Sequence, residues 1–217
     1  MKTPTTVVLT ISRQMGAGGS YIGQAIARRL GLKYVDREIL TEATRLLGEE
    51  PETLERLEEH VSNAWVRFTR HLSFGPPDGL FTPPRIRETV FEEDLFRIEQ
   101  QIIKEFAARE NCVIIGRAGA IILRNHPGVV RVFVHAPESW RIDKVMETAG
   151  LADREAVRDL IRKSDHDRAK FVQTVCSCDW SSACHYDMTL NPAKIGLDHA
   201  VDLVATVVEN RMKEGLP

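Results

Sequence analysis

The stretch Val7–Leu30, VVLTISRQMGAGGSYIGQAIARRL, decides how the chain folds. Val7, Val8, Leu9 and Ile11 form an apolar run with the length and branching of a buried strand. Gly16, Gly18 and Gly19 then mark a turn, after which Ile22, Ala25, Ile26 and Leu30 recur at helical spacing. Ser20 is placed to cap that helix and Gly31 to stop it. A glycine-rich turn between a strand and a helix suits an anion: several backbone N–H groups can converge on one phosphate, and the helix dipole adds positive charge. The familiar form is G-x-x-x-x-G-K-[ST], with its lysine on the terminal phosphates and its hydroxyl on Mg2+. With its second glycine on Gly18 and its hydroxyl on Ser20, Arg13 takes the first-glycine slot and Gly19 the lysine slot. Half of the defining residues are thus replaced, and the loop alone also reads as a plain glycine-rich turn.

The remaining chain must decide. At 217 residues, with 43% hydrophobic and 28% charged residues, it suits one soluble α/β domain with an inserted or mobile part. A net charge of −2 gives no ground for a nucleic-acid or membrane surface, and no apolar run approaches membrane-spanning length. Met1–Thr6 is too short and polar for a signal peptide, so the cytoplasm is the expected location. Three of the four cysteines, Cys176, Cys178 and Cys184, crowd together, which is no disulfide framework. With His185 they form C-x-C-x5-C-H, which lacks the usual gaps within zinc ligand pairs; buried or incidental thiols are the simpler reading.

Lys33–Asp36 reads as a second strand ending in a carboxylate, followed by Arg37. Helical spacing continues through Glu38–Leu47 and, on a core-facing stripe, through Glu52–Leu72. Ser73–Pro84, with four prolines and two glycines, is a loop. Arg85–Arg109 resumes as a long helix. Cys112–Ile115 and Val129–Val134 are short apolar runs of the kind buried on both faces, and Asp187–Leu190 is a last strand. Helices are expected over Glu138–Glu147, Asp153–Phe171 and Leu197–Lys213, with Trp180 packed against the base of the segment around it. Strands alternating with helices give a parallel sheet covered on both faces, whose ligands sit beyond the strand C-termini. The glycine loop, Asp36–Arg37 and Gly116–Arg117 all fall at that edge.

Four segments together resemble the cytidylate kinase-like family of nucleoside monophosphate kinases: ISRQMGAGGSYIGQAIARRLGLKYVDREIL (11–40), VIIGRAGAIILRNHPGVVRVFVHAP (113–137), RKSDHDR (162–168) and YDMTLNPAKIGLDHAVDLV (186–204). The resemblance implies a three-layer P-loop kinase fold with a five-stranded parallel sheet in the order 2-3-1-4-5. The whole chain, 1–217, would be one domain: a core of 1–36, 111–152 and 186–217, a helical monophosphate-binding insertion at 37–110 and a lid at 153–185. It further implies ATP and Mg2+ as cofactors and a nucleoside monophosphate, cytidylate-like, as acceptor, with no nucleic-acid or membrane partner. Oligomeric state stays open.

Residue by residue, Gly16, Ala17, Gly18, Gly19 and Ser20 match the loop that binds ATP, with Ser20 as the Mg2+ hydroxyl. Asp36 and Arg37 match the start of the acceptor-binding helices, and Gly116 and Arg117 a G-R element that contacts the acceptor. Arg162, Asp165 and Arg168 match a lid pattern R-x-x-D-x-x-R, two guanidinium groups with a carboxylate between. The departure is Gly19. Either Arg13 supplies the missing charge, which an arginine can do bidentately, or the chain is a nucleotide-binding regulatory protein on a kinase fold.

Overall fold

The computed structural model describes residues 6–36 and 89–214. Five strands, β1 (Val8–Arg13), β2 (Lys33–Val35), β3 (Cys112–Ile115), β4 (Val129–Val134) and β5 (Met188–Leu190), form one sheet in the order β2-β3-β1-β4-β5. Every pairing is parallel, with Val8 opposite both Cys112 and Val129. The expected order and the central place of the first strand are both found. The helices are α1 (Gly19–Leu30), α2 (Thr89–Arg109), α3 (Gly119–Ile122), α4 (Glu138–Ala149), α5 (Arg154–Cys176), α6 (Pro192–Ile195) and α7 (Leu197–Lys213).

The alternation of side chains along β1 builds three layers. Val7, Leu9 and Ile11 face a core with Ile22 and Ile26 of α1 and Val204 and Val208 of α7. Val8 faces the other way, onto Ile102, Ile103 and Ala107 of α2. β1 is paired on both edges and covered on both faces, so Val8, Leu9 and Ile11 are apolar and Thr10 and Ser12 are buried with them; the apolar residues made the strand legible.

Among the helix boundaries that differ from expectation, two bear on the site. Ser20 does not cap α1: the cap is Gly18, in the left-handed region at φ 88, and Ser20 lies inside the first turn. A residue at that φ is strained unless it is glycine, so backbone geometry overrides the hydroxyl's preference for the cap. The second is α5, which begins after Asp153, whose carboxylate accepts from the N–H groups of Glu155 and Ala156, and runs on to Cys176 rather than Phe171. Gly31, at φ 64, stops α1 as expected. The readings of Arg37, Glu38–Leu47, Glu52–Leu72 and Ser73–Pro84 lie outside the described residues.

Candidate active site

The glycine loop leaves the C-terminal end of β1 and is fastened on three sides. Gln14 donates its N–H to the carbonyl of Val134 and accepts from Ala136 through Oε1, which ties the loop to the end of β4. Met15 is buried among Ile142, Val145, Val157 and Ile161, an apolar plug between the loop and helices α4 and α5. The third fastening is polar. Asp165 on α5 accepts the Met15 N–H at 2.8 Å and the Arg141 guanidinium at 2.6 Å. Arg141 also donates to the carbonyls of Met15 and Ala136, both at 3.0 Å, so each end of the Met15 peptide unit is engaged.

Past this clamp the chain turns through Gly16 and Gly18 into α1. A Cβ on Gly18 would stand 2.5 Å from Leu197 Cδ2 at a φ of 88. The Gly18 carbonyl accepts the first helical bond, from Ile22, and no side chain caps the helix. The first-turn N–H groups and the dipole are therefore presented at the loop mouth. Gly18→Ala should lower stability by about 1–2 kcal/mol, the cost of a left-handed L-residue, read as a reduced denaturant midpoint with an unchanged slope.

Arg13, the last residue of β1, runs its stem beneath α1. A Cβ on Gly19 would come within 2.6 Å of Arg13 Cβ and 2.9 Å of its Cγ, and a Cβ on Gly116 would collide with Arg13 Nη1. The side chain thus crosses the space a side chain at 19 would need and ends against the turn after β3.

That turn is itself unusual. Gly116, Arg117 and Ala118 all have positive φ, at 70, 51 and 53. Two of them carry a Cβ, and each such residue costs about 1–2 kcal/mol. The Gly116 carbonyl accepts the Gly119 N–H at 2.9 Å, closing the turn. Arg117 reaches α2, with Nη1 3.0 Å from Glu99 Oε1. Glu99 is 1% exposed. Burial pushes its carboxyl up, and the Arg117 charge opposes that shift. The same Oε1 makes no aligned hydrogen bond in spite of the short distance; the contact is a charge pair whose N–H vector is off line. Backbone strain of this kind collects at binding sites, where the surrounding structure holds it.

Of the R-x-x-D-x-x-R residues, two come to the loop and one does not. Arg168 Nη1 donates to the Arg13 carbonyl at 3.2 Å and lies 3.5 Å from Asp165 Oδ1. Asp165 faces the clamp. Arg162 pairs instead with Glu138 at 3.1 Å, with most of its side chain in solvent. Three-residue steps drift by about 60° each on a 3.6-residue helix, so the outer two arginines point about 120° apart. The segment is also well seated: Val157, Ile161 and Val172 of α5 are buried, and Trp180 packs edge-on against Phe133 at 5.3 Å. Asp36 closes β2 with its carboxylate 3.5 Å from the Tyr34 hydroxyl.

Arg141 escaped the sequence reading. It lies four residues before buried Val145 and next to buried Ile142, so a charged residue stood on the inward stripe of its helix. That misplacement was the available signal. Among the described residues no group of three or more metal-ligating side chains is assembled.

Residues 8–194 match the cytidylate kinase-like family. The chain belongs to that family. No curated protein sequence matches it. Among solved structures, an uncharacterized protein from Eubacterium ventriosum superposes with a TM-score of 0.66 at 17% identity, over 94% of this chain and 99% of that one. A gluconokinase from Sinorhizobium meliloti gives 0.51 at 16% identity, over 96% and 97%. A shikimate kinase from Bacteroides thetaiotaomicron gives 0.50 at 14%, over 94% and 98%. At such identities the likeness concerns the fold, here the P-loop kinase fold. Family and fold together support a cytidylate kinase-like protein of the kinase class, one that moves a phosphoryl group from a nucleotide. Among the described residues no helix of this family member is long and apolar enough to cross a membrane.

Proposed function

We propose that the chain transfers the γ-phosphoryl group of ATP to a nucleoside monophosphate, with a cytidylate-like acceptor. The observation that carries the reading is one juxtaposition. The glycine loop and the first turn of α1 stand between Arg168 on one side and the strained Gly116–Arg117 turn on the other, all at the C-terminal edge of the sheet. In parallel α/β sheets that edge is where ligands bind.

In the transfer, a phosphate oxygen of the acceptor attacks the γ-phosphorus in line. The bond from that phosphorus to the β,γ-bridging oxygen breaks, and ADP departs with the electron pair. Such a reaction asks the protein for positioning and charge stabilisation more than for covalent chemistry. Gly16, Ala17, Gly18, Gly19 and Ser20 would present backbone N–H groups to the donor phosphates. Arg168 would meet the transferring group, while Asp36, Arg37, Gly116 and Arg117 would face the acceptor. Arg162 would join only by leaving Glu138. Mg2+ takes few protein ligands beside phosphate oxygens and water, so a single buried hydroxyl, Ser20, fits it without a carboxylate cluster. When bound it would neutralise phosphate charge.

Arg117→Ala should raise the KM for the acceptor about tenfold, the effect of one charge-assisted hydrogen bond, with kcat changed far less. Steady-state kinetics at saturating ATP checks this. The replacement of the loop lysine by Gly19 favours one other reading, a regulatory protein that binds nucleotide without transferring phosphate. A thermal-shift panel separates acceptor classes: nucleoside monophosphates against shikimate and gluconate, each with ATP and Mg2+. Stabilisation by a monophosphate alone is the expected result. Stabilisation by shikimate or gluconate alone would replace the acceptor.

A further inference from the structure

Gly19 and Gly116 share one neighbour, the side chain of Arg13. In β1, Ile11 and Arg13 point to the face that α1 covers, and α1 meets them with glycines one turn apart. Gly19 lies over Arg13 and Gly23 over Ile11, where a Cβ would sit 3.2 Å from Ile11 Cδ1. The bland account is that both glycines let the helix lie close on the strand. It covers Gly23, whose neighbours are all apolar or aromatic: Ile115, Ile11 and Tyr34. It does not cover Gly19, which admits the stem of a cation, nor Gly116, which admits its head.

We infer that Arg13 is the phosphate-binding cation of this site, exchanged with the residue at 19: the charge has moved from the first turn of the helix to the end of the strand. Charge and space are coupled in this arrangement. Any side chain at 19 claims the volume of the Arg13 stem, so a lysine at 19 and an arginine at 13 exclude one another. Gly116 follows Ile115, the register partner of Ile11, and its N–H donates to the Ile11 carbonyl at 2.9 Å. The guanidinium therefore lies between the ends of β1 and β3, the donor-phosphate loop on one side and the Gly116–Arg117 turn on the other. A planar fork at that point can engage oxygens of two phosphate groups, which a compact ammonium cannot do in the same way. The main chain of Arg13 is also held, since its carbonyl accepts from Arg168. A second cation is thereby fixed at the same strand end, on the side of the loop away from the Gly116 turn.

The consequence for turnover rests on the proposed phosphoryl transfer, whereas the consequence for ATP binding does not. The test is titration calorimetry of wild type and variants with ATP and Mg2+ in the absence of acceptor, alongside the thermal midpoint of each variant. Arg13→Gln keeps the stem over Gly19 and removes the charge; the Kd for ATP should rise about tenfold. Gly19→Ala keeps the charge and displaces the stem, and it should weaken binding by a similar factor. The double variant Arg13→Gly/Gly19→Lys removes the Arg13 Cβ that a Cβ at 19 would meet at 2.6 Å, restores the ordinary arrangement and should bind within about threefold of wild type. Arg13→Gln and Gly19→Ala proteins that are folded and bind within twofold of wild type would overturn the inference. So would a folded double variant with no recovery, since interchange is its substance. Wild-type protein that binds ATP yet phosphorylates no acceptor would overturn the transfer reading alone, because the binding comparison judges Arg13 by itself.

Discussion

Asp165→Ala is expected to lower the stability of the protein by about 3 kcal/mol, the lower end of the range for breaking a buried ion pair from one side. The Asp165 side chain is 17% exposed and that of Arg141 is 7%, which argues for the lower end. Removing the carboxylate leaves the Arg141 guanidinium buried without this counter-charge and takes away the acceptor of the Met15 N–H. For a chain of this length, 3 kcal/mol corresponds to a fall in Tm of about 6–12 °C. Asp165→Asn keeps an oxygen for Met15 and should lose about half as much. The two differ because one interaction is a charge pair and the other a neutral acceptor. Calorimetric scans of the three proteins decide the matter. A Tm for Asp165→Ala within 2 °C of wild type would mean that the clamp does not hold the loop.

Arg168→Ala should act on the reaction instead. Its guanidinium is directed to the loop entrance by the Arg13 carbonyl and the Asp165 carboxylate, so its orientation is set before substrate arrives. A preorganised cation is worth most where charge develops on the transferring group, and arginines in that role contribute a hundredfold or more to turnover. The expected result is a kcat reduced about a hundredfold, with the Kd for ATP within about threefold of wild type. Arg117→Ala is expected to move KM, so the two variants should differ in kind as well as size. An Arg168→Ala enzyme with normal kcat and weakened ATP binding would assign this arginine to ground-state binding and remove it from the transfer step.

The fold was legible in the sequence because its signals are local. Cys112–Ile115 is apolar without interruption and Val129–Val134 is broken only by Arg131, as suits strands covered on both faces, and Gly31 ends α1 where only a left-handed residue closes the turn. The site was legible in part. Gly16–Ser20 and Gly116–Arg117 were placed correctly at one edge, since sheet topology alone brings them there. What spacing could not supply was the partner of each charge. Asp165 and Arg162 belong to one helix, yet one turns to Met15 and Arg141 and the other to Glu138, a choice made by residues on α4 more than fifteen positions away. Ser20 has the chemistry of a cap but follows a glycine whose φ already fixes the helix start. The strain at Arg117 and Ala118 had no signal either, because neither residue type favours a positive φ.

Phosphoryl transfer by a loop without its lysine is tested by 31P NMR of the wild-type protein with ATP, Mg2+ and cytidine monophosphate. The γ resonance of ATP should decline while resonances of ADP and of a nucleoside diphosphate grow in equal amounts. The same exchange should run in reverse from the two diphosphates. Resonances shifted or broadened by protein binding, with no diphosphate formed from cytidine monophosphate or from any other monophosphate, would contradict it and leave a nucleotide-binding protein on a kinase fold.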